Sequence, residues 1–165
     1  PQFPNLKVAI VGDGPDRLYL EQLTEEYKMV DNISFLGSVP NTHIPDQLNQ
    51  AKIFIMNSAF EGLPVAMIEA ICCGLPVIVP DVGDITDVAQ HGVNGLVMQP
   101  NNPEDMKRFI INLLEDKDLY DKLRHGALAT RSAMVEDFSL IKAQEIWRNV
   151  ILLARKDANR LIIGG

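Results

Sequence analysis

The sequence predicts a single α/β domain built on a doubly wound parallel sheet, and three observations support this prediction. Five short apolar runs, rich in β-branched residues, alternate with longer segments in which apolar residues recur at helical spacing. Glycine and proline stand where most of these runs would end, as turns toward a following helix require. The chain has 165 residues, 47% of them hydrophobic, which is enough for one sizeable core. We therefore expect about five parallel strands with helices on both faces of the sheet.

The first strand and helix are expected near the start of the chain. Residues 6–11 form a short apolar run that predicts a buried strand. The run ends at Gly12-Asp13-Gly14-Pro15, which indicates a tight turn into a helix that Pro15 opens and that continues to about Lys28. This turn lacks the third glycine of a dinucleotide-binding fingerprint, so its spacing alone is a weak sign of nucleotide binding. The half-buried face of the helix would consist of Leu18, Leu23 and Tyr27.

The next two strands are expected at residues 32–36 and 53–56, with a weak helix at 44–49 between them. The run at 53–56 is fully apolar and predicts another buried strand. Residues 57–62 would then form the loop that leaves its carboxyl end.

The segment from Glu61 to Glu69 contains the strongest candidate for a site. Pro64 suits the first position of a helix, where its missing N–H is no loss. From residue 65 to 73 every residue except Glu69 is apolar, so we expect a helix with no exposed face and a carboxylate in apolar surroundings. Glu61 would lie in the loop before this helix. Both acids then fall near the carboxyl end of a strand, where open α/β sheets bind ligands, and the free N–H groups of residues 62–67 could bind a phosphate.

The second half of the chain supplies the remaining elements. Residues 77–80 predict the fourth strand and residues 96–98 the fifth. Between them, Asp84 is expected to cap a helix that runs to about Gln90. The other predicted helices, none of them with a chemical role, are 103–115, 118–133 and 138–156.

The charges and cysteines limit the classes of partner and the cellular compartment that the sequence allows. A net charge of -7 argues against nucleic acid or an anionic membrane as the main partner. No lysine or arginine lies between Lys52 and Lys107, so a bound phosphate would depend on helix N-termini or on parts outside this chain. Cys72 and Cys73 are adjacent in an apolar helix, which indicates two free, buried thiols in a reducing compartment. With no signal peptide and no apolar run of spanning length, we expect a soluble, cytoplasmic chain.

These motifs together resemble the signature of retaining group 1 glycosyltransferases, enzymes with the two-domain GT-B fold. The resemblance rests on Glu61 and Glu69 at this spacing, with Ser58 before them and Ala70…Gly74-x-Pro76-Val77 after them. It extends to three further segments, 8–15, 32–37 and 91–97. It implies that residues 1–165 are a Rossmann-like, nucleotide-sugar-binding C-terminal domain, one half of a GT-B fold.

The resemblance also implies roles for individual residues. Glu61 would be the catalytic residue that orients the donor sugar through its hydroxyls, and Glu69 would contact the ribose. The backbone between the two acids would lie against the diphosphate. No metal is implied, and no cofactor besides the nucleoside-diphosphate sugar that serves as donor. The other donor-binding residues would be Gly12, Gly14, Ser58, Gly62, Leu63 and Pro64.

The chain departs from the family pattern in two ways. Where the family usually has two consecutive glycines and then a Glu, this chain has Gly83-Asp84 and then Asp87, so a Cβ and a charge replace a glycine. The family's donor domain also begins one βα unit earlier, with two basic residues that meet the diphosphate and with the central strand of the sheet. Without that strand, the five strands would either close up in the order 2-1-3-4-5 or leave a gap that another chain fills.

The resulting interpretation is the donor-side domain, truncated at its N-terminal side, of an enzyme that moves a sugar from a nucleoside-diphosphate sugar to an acceptor hydroxyl. The acceptor-binding N-terminal domain is absent, so we expect an isolated chain without activity. The full-length enzyme could associate peripherally with the inner face of a membrane. Two alternatives stay open. A nucleotide-sugar epimerase shares the architecture and would convert the donor to its epimer. A non-enzymatic domain that binds a nucleotide or a protein partner would bind the donor without turnover.

Overall fold

The computed structural model describes residues 3–137, in which five strands and five α-helices are formed. The chain divides into two compact units, Pro1–Gln47 and Leu48–Gly165, called here the N-terminal unit and the C-terminal unit. The helix expected at 138–156 lies outside the described residues.

The N-terminal unit contains a parallel pair of strands joined by a helix. Strand β1 (Val8–Val11) pairs with β2 (Ile33–Gly37), and helix α1 (Arg17–Glu26) connects them. The helix begins after Asp16 as its N-cap residue, two positions later than the expected start at Pro15. A 3-10 turn then leads to helix α2 (Ile44–Gln50), which spans the boundary between the units.

The prediction that this unit buries its first strand is wrong. Val8 and Val11 are exposed, and so are Leu18 and Tyr27 of the expected half-buried helix face, at 72% and 70%. A sheet of two strands with one connecting helix has too few neighbours to cover both of its faces. The apolar runs therefore form the predicted strand and helix without the predicted burial.

The C-terminal unit contains a three-stranded parallel sheet in the order β3-β4-β5. Its strands are β3 (Phe54–Ile55), β4 (Val77–Pro80) and β5 (Gly95–Met98). Helix α3 (Val65–Cys72) joins β3 to β4. Two further helices follow β5, namely α4 (Pro103–Glu115) and α5 (Lys117–Asp137).

Strand β4 is the centre of the core, and all of its residues are buried. Side chains alternate between the two faces of a strand, so Ile78 points to one face while Val77 and Val79 point to the other. All three are completely buried, which shows that both faces of this sheet are covered. Ile78 packs in a cluster with residues of β5, α4 and α5, namely Leu96, Met98, Phe109, Leu113 and Leu123.

A buried asparagine fixes the turn before β5. The Asn94 amide nitrogen donates to the carbonyl of Val88 at 2.8 Å and to the hydroxyl of Thr130 in α5 at 2.9 Å. Its carbonyl oxygen accepts from the backbone N–H of Gln90 at 2.8 Å. The side chain is buried, and its hydrogen bonds offset the cost of removing the amide from water. The turn at 92–95 is therefore tied to helix α5.

Of the two arrangements left open for the five strands, the single sheet in the order 2-1-3-4-5 is not found among the described residues, which form two sheets. Within the described part of the chain, β1 pairs with β2 alone and β3 with β4 alone. The N–H groups of Phe54 and Met56 donate to the carbonyls of Pro76 and Ile78, whereas the backbone groups of Ile55 point away from β4.

Candidate functional site

Residues 56–64, called here the Glu61 loop, follow β3 and lead directly into α3. Pro64 is the N-cap residue, with φ -72° and ψ 120°, and the helix begins at Val65. The prediction that Pro64 occupies the first helical position is wrong by one residue, because its ψ is extended. Proline has no side-chain acceptor, so Pro64 leaves the N–H groups of the first turn uncapped. An uncapped helix N-terminus directly after Glu61 is suited to bind an anion.

Helix α3 has an exposed face, contrary to the prediction. Val65 and Ala66 are exposed, so no element among residues 3–137 covers this side of the first turn. Glu69 is half-buried and therefore can accept hydrogen bonds from a ligand without the cost of a buried charge. The face that packs into the core consists of Met67, Ala70 and Ile71.

Residues 81–84, called here the Gly83 loop, follow β4 and touch the Glu61 loop at Gly83. Gly83 has a φ of +55°, and a Cβ built on it would lie 1.8 Å from the carbonyl oxygen of Glu61. The next N–H, of Asp84, donates to the carbonyl of Gly62 at 3.3 Å. The loops at the carboxyl ends of β3 and β4 thus form one surface, held by backbone contacts, with Glu61 half-buried at the junction. Sequence reasoning missed this role of Gly83, because the two loops are distant along the chain.

The prediction that Asp84 caps a helix is also wrong. Asp84 precedes a 3-10 turn, Ile85–Asp87, and its side chain makes no capping hydrogen bond. Ile85 is completely buried and anchors the turn in the core. Asp81, Asp84 and Asp87 are exposed on this side of the sheet, so the surface beside Glu61 is acidic.

The other predicted donor-binding residues fall in both units. Ser58 is half-buried and Leu63 is exposed, and both lie in the Glu61 loop of the C-terminal unit. Gly12 and Gly14 lie in the turn after β1, in the N-terminal unit. The N–H of Gly12 donates to the carbonyl of Gly37 at 2.8 Å, so the turns after β1 and β2 meet as well.

A half-buried cation beside the turn after β1 was missed by the sequence reasoning. The guanidinium of Arg17 donates to Glu21 at 2.8 Å and lies 3.6 Å from a carboxylate oxygen of Asp13. The hydrogen bond to Glu21 is the main reason that the pKa of Arg17 is raised. Acids spaced four residues on either side of an arginine could have indicated this arrangement from the sequence.

A cavity lined by Cys73 lies at the C-terminal end of α3, whereas the Glu61 loop precedes the N-terminal end of this helix. Its volume is about 210 Å³, and its lining includes Asn49, Tyr120 and Arg124. None of the predicted site residues lines it. Cys72 and Cys73 are free, as predicted, but half-buried. Burial raises the pKa of the Cys73 thiol, which makes Cys73 a weak nucleophile.

Metal-binding clusters and membrane-spanning helices are both missing from residues 3–137. In this part of the chain, no group of three or more His, Cys, Asp or Glu side chains could hold a metal ion. No helix among the same residues is long and apolar enough to cross a membrane.

Comparisons with known proteins agree on one family. The family model described as "Glycosyl transferases group 1" matches residues 1–129. Over 108 residues, the chain is 32% identical to a subunit of the phosphatidylinositol N-acetylglucosaminyltransferase of Arabidopsis thaliana, covering 66% of this chain and 24% of the relative. Sucrose-phosphate synthase from Thermosynechococcus elongatus is similar with a TM-score of 0.78 and 24% identity, covering 92% of this chain and 40% of that chain.

A second solved structure, Anabaena HepE in complex with UDP-glucose, has a TM-score of 0.74 and 22% identity, covering 89% of this chain and 41% of that chain. Likeness at this identity shows the fold, which is the Rossmann-like domain of GT-B proteins, and confirms the predicted fold class. The chain spans between 24% and 41% of the length of these three proteins.

Proposed function

Because the chain belongs to the group 1 glycosyltransferases, we propose that it is the donor-side, C-terminal domain of a retaining enzyme. The substrate would be a nucleoside-diphosphate sugar, and the sugar would pass to an acceptor hydroxyl. One observation carries this proposal: the Glu61 loop, the Gly83 loop and the N-terminus of α3 meet at the carboxyl edge of the β3-β4-β5 sheet. Open α/β sheets bind their ligands at that edge.

The groups at this junction suit the two ends of a donor. The uncapped N–H groups of α3 would bind the diphosphate, because they are unpaired donors at the positive end of a helix dipole. Carboxylates accept hydrogen bonds from hydroxyls, so Glu61 would orient the sugar and Glu69 would bind the ribose. The scheme uses no metal ion. Gly12 and Gly14, in the other unit, remain proposed nucleotide contacts on the family resemblance alone.

The proposed transfer breaks the bond between the anomeric carbon and the diphosphate oxygen. The diphosphate leaves with the electron pair, the acceptor oxygen bonds to the anomeric carbon on the same face, and the acceptor hydroxyl loses its proton. Two kinds of charge must be stabilised, the negative charge on the leaving diphosphate and the positive charge on the sugar. Glu61 would contact the sugar, whereas the diphosphate needs positive charge.

Positive charge is scarce at this junction. No lysine or arginine occurs at residues 53–106, and Asp81, Asp84 and Asp87 are exposed beside Glu61. We therefore propose that basic groups for the diphosphate, and the acceptor site, belong to parts of the full-length enzyme outside this chain. The length of the relatives leaves room for such parts.

Gly62 tests the proposed contact between backbone and diphosphate. Nothing lies within 4 Å of a Cβ built on Gly62, so Gly62→Val fits the fold. The added side chain should obstruct the diphosphate and weaken UDP binding tenfold or more, while the Tm stays within about 2 °C of the parent. Calorimetry and thermal unfolding check the two expectations. A much lower Tm would show that Gly62 is needed for the fold. Unchanged UDP binding would show that the diphosphate does not bind at Gly62.

Binding and transfer assays on this chain and on the full-length enzyme test the function itself. A thermal-shift panel of UDP- and GDP-sugars selects the donor, since a ligand that binds only the folded state raises the apparent stability. The isolated chain should bind that donor with a Kd in the millimolar range and transfer sugar slower than the full-length enzyme by several powers of ten. NMR of the product should show a retained anomeric configuration.

Three results would contradict the proposal. An inverted product would exclude a retaining enzyme. Turnover by the isolated chain near the full-length rate would show a complete site within these 165 residues. Conversion of the donor to its epimer without an acceptor would identify an epimerase instead.

A further inference from the structure

A glycine outside the proposed donor-binding set fits against the backbone of Glu61. A Cβ on Gly83 would lie 1.8 Å from the carbonyl oxygen of Glu61, 2.9 Å from its carbonyl carbon and 3.2 Å from the carbonyl oxygen of Gly62. All three atoms belong to the backbone, so they cannot rotate away as the end of a side chain could. Any other residue at position 83 must therefore push the two loops apart.

The Glu61 loop is the side that would yield. The Gly83 loop is followed by Ile85, which is completely buried, and by the 3-10 turn Ile85–Asp87. The Glu61 loop has no regular secondary structure, and its Phe60 is 91% exposed. Non-bonded heavy atoms need a separation of about 3.5 Å, so a side chain on Gly83 would displace Glu61 by an ångström or more.

We propose that Gly83 is a positioning residue for donor recognition, which holds the Glu61 backbone where the carboxylate can contact the donor sugar. The proposal rests on the proposed function, because it takes Glu61 as the residue that contacts the sugar. It adds a residue that acts through Glu61 without touching the donor. The diphosphate would bind the N–H groups of α3, which begin beyond Pro64, so its binding depends less on Gly83.

Gly92 provides a matched control. It also has a left-handed backbone, with a φ of +74°, but nothing lies within 4 Å of a Cβ built on it. It precedes β5 and is not among the proposed donor-binding residues. Replacing either glycine by alanine imposes the same kind of backbone strain, whereas only the change at Gly83 adds the collision with Glu61.

The experiment titrates the full-length parent and three variants, Gly83→Ala, Gly92→Ala and Glu61→Gln, by calorimetry. The probes form two pairs, UDP with UDP-glucose and GDP with GDP-mannose. The measured quantity is the Kd of the nucleotide-sugar divided by the Kd of the corresponding nucleoside diphosphate. Gly83→Ala should raise this ratio about tenfold, because a displaced carboxylate loses its charge-assisted hydrogen bond to the sugar. Gly92→Ala should leave the ratio unchanged.

A double variant distinguishes a positioning role from a structural one. In the Glu61→Gln background, Gly83→Ala should raise the ratio no further, because its effect depends on Glu61. Three outcomes would overturn the proposal. The ratio could be unchanged in Gly83→Ala, Gly83→Ala could weaken the binding of both ligands equally, or the effects of the two substitutions on the ratio could add in the double variant. In each of those cases, a raised ratio in Glu61→Gln would leave the proposed function standing.

Two remaining outcomes are also decisive. If the parent binds none of the four probes, the proposed function and the role of Gly83 both fail. If Gly83→Ala does not fold, Gly83→Asn replaces it with Gly92→Asn as control, because asparagine adopts the left-handed conformation more readily and still has a Cβ.

Discussion

The N-terminal and C-terminal units contain strands of similar composition in opposite surroundings. Strand β1 is Val-Ala-Ile-Val and is mostly exposed, whereas β4 is Val-Ile-Val-Pro and is buried throughout. Strand β4 has a strand on each side and contacts α3 and α4, whereas β1 has β2 on one side. An apolar run can therefore determine that a strand forms, while its neighbours decide how much burial the strand contributes.

The largest expected effect on stability comes from replacing a valine by aspartate, once in β4 and once in β1. Val79→Asp puts an unpaired carboxylate in completely buried surroundings, which costs several kcal/mol out of a total stability of about 5–15 kcal/mol. The exposed Val8→Asp should cost less than about 1 kcal/mol. Urea unfolding checks both variants. Similar losses for the two would show that β1 contributes to the core as much as β4 does.

A smaller difference in stability is expected between alanine variants of two asparagines that each precede a strand. Asn94→Ala removes a buried amide with three hydrogen bonds and leaves the N–H of Gln90 without its partner, so we expect a loss of about 2–4 kcal/mol. Asn32→Ala removes bonds to the carbonyls of Pro4 and Leu6 in a half-buried setting, where water can replace the amide. Its expected cost is about 1 kcal/mol. Chemical denaturation measures both, and a larger loss for Asn32→Ala would reverse the comparison.

The smallest effect on stability is expected from ion pairs between residues one helical turn apart at the surface, in either unit. The hydrogen bond from Lys117 lowers the pKa of Asp121, so the stabilisation by this pair is complete above the usual pKa range of an aspartate. That contribution is lost as the pH falls through the lowered pKa. Lys117→Gln, with Arg17→Gln as its counterpart in the N-terminal unit, should barely change the unfolding midpoint at neutral pH. A large shift in Lys117→Gln that persists after Asp121 is protonated would exclude this explanation.

The sequence was sufficient where structure is decided within one element. Helix α4 occupies the predicted residues, because Pro103 opens it and the side chain of Asn102 accepts from the N–H of Asp105. Its apolar face packs on the sheet as the spacing predicted, through Phe109 and Leu113. The loop position of Glu61 and the helix after it were likewise predicted.

The sequence was insufficient where structure depends on distant neighbours. Three features depend on which elements are nearby: the exposure of β1, the exposed side of the first turn of α3 and the split of the strands into two sheets. The contact between Gly83 and Glu61 joins loops that follow different strands. No local pattern around Gly83 predicts such a contact.

One measurement tests the proposed donor site most directly: calorimetric titration of UDP and UDP-glucose into the parent, Glu61→Gln and Glu69→Gln. Glu69 would bind the ribose that both ligands share, so Glu69→Gln should weaken both of them, by about fivefold or more. Glu61 would contact the sugar alone, so Glu61→Gln should weaken UDP-glucose and leave UDP unchanged. Equal weakening of bare UDP by both variants would contradict these roles for the two carboxylates.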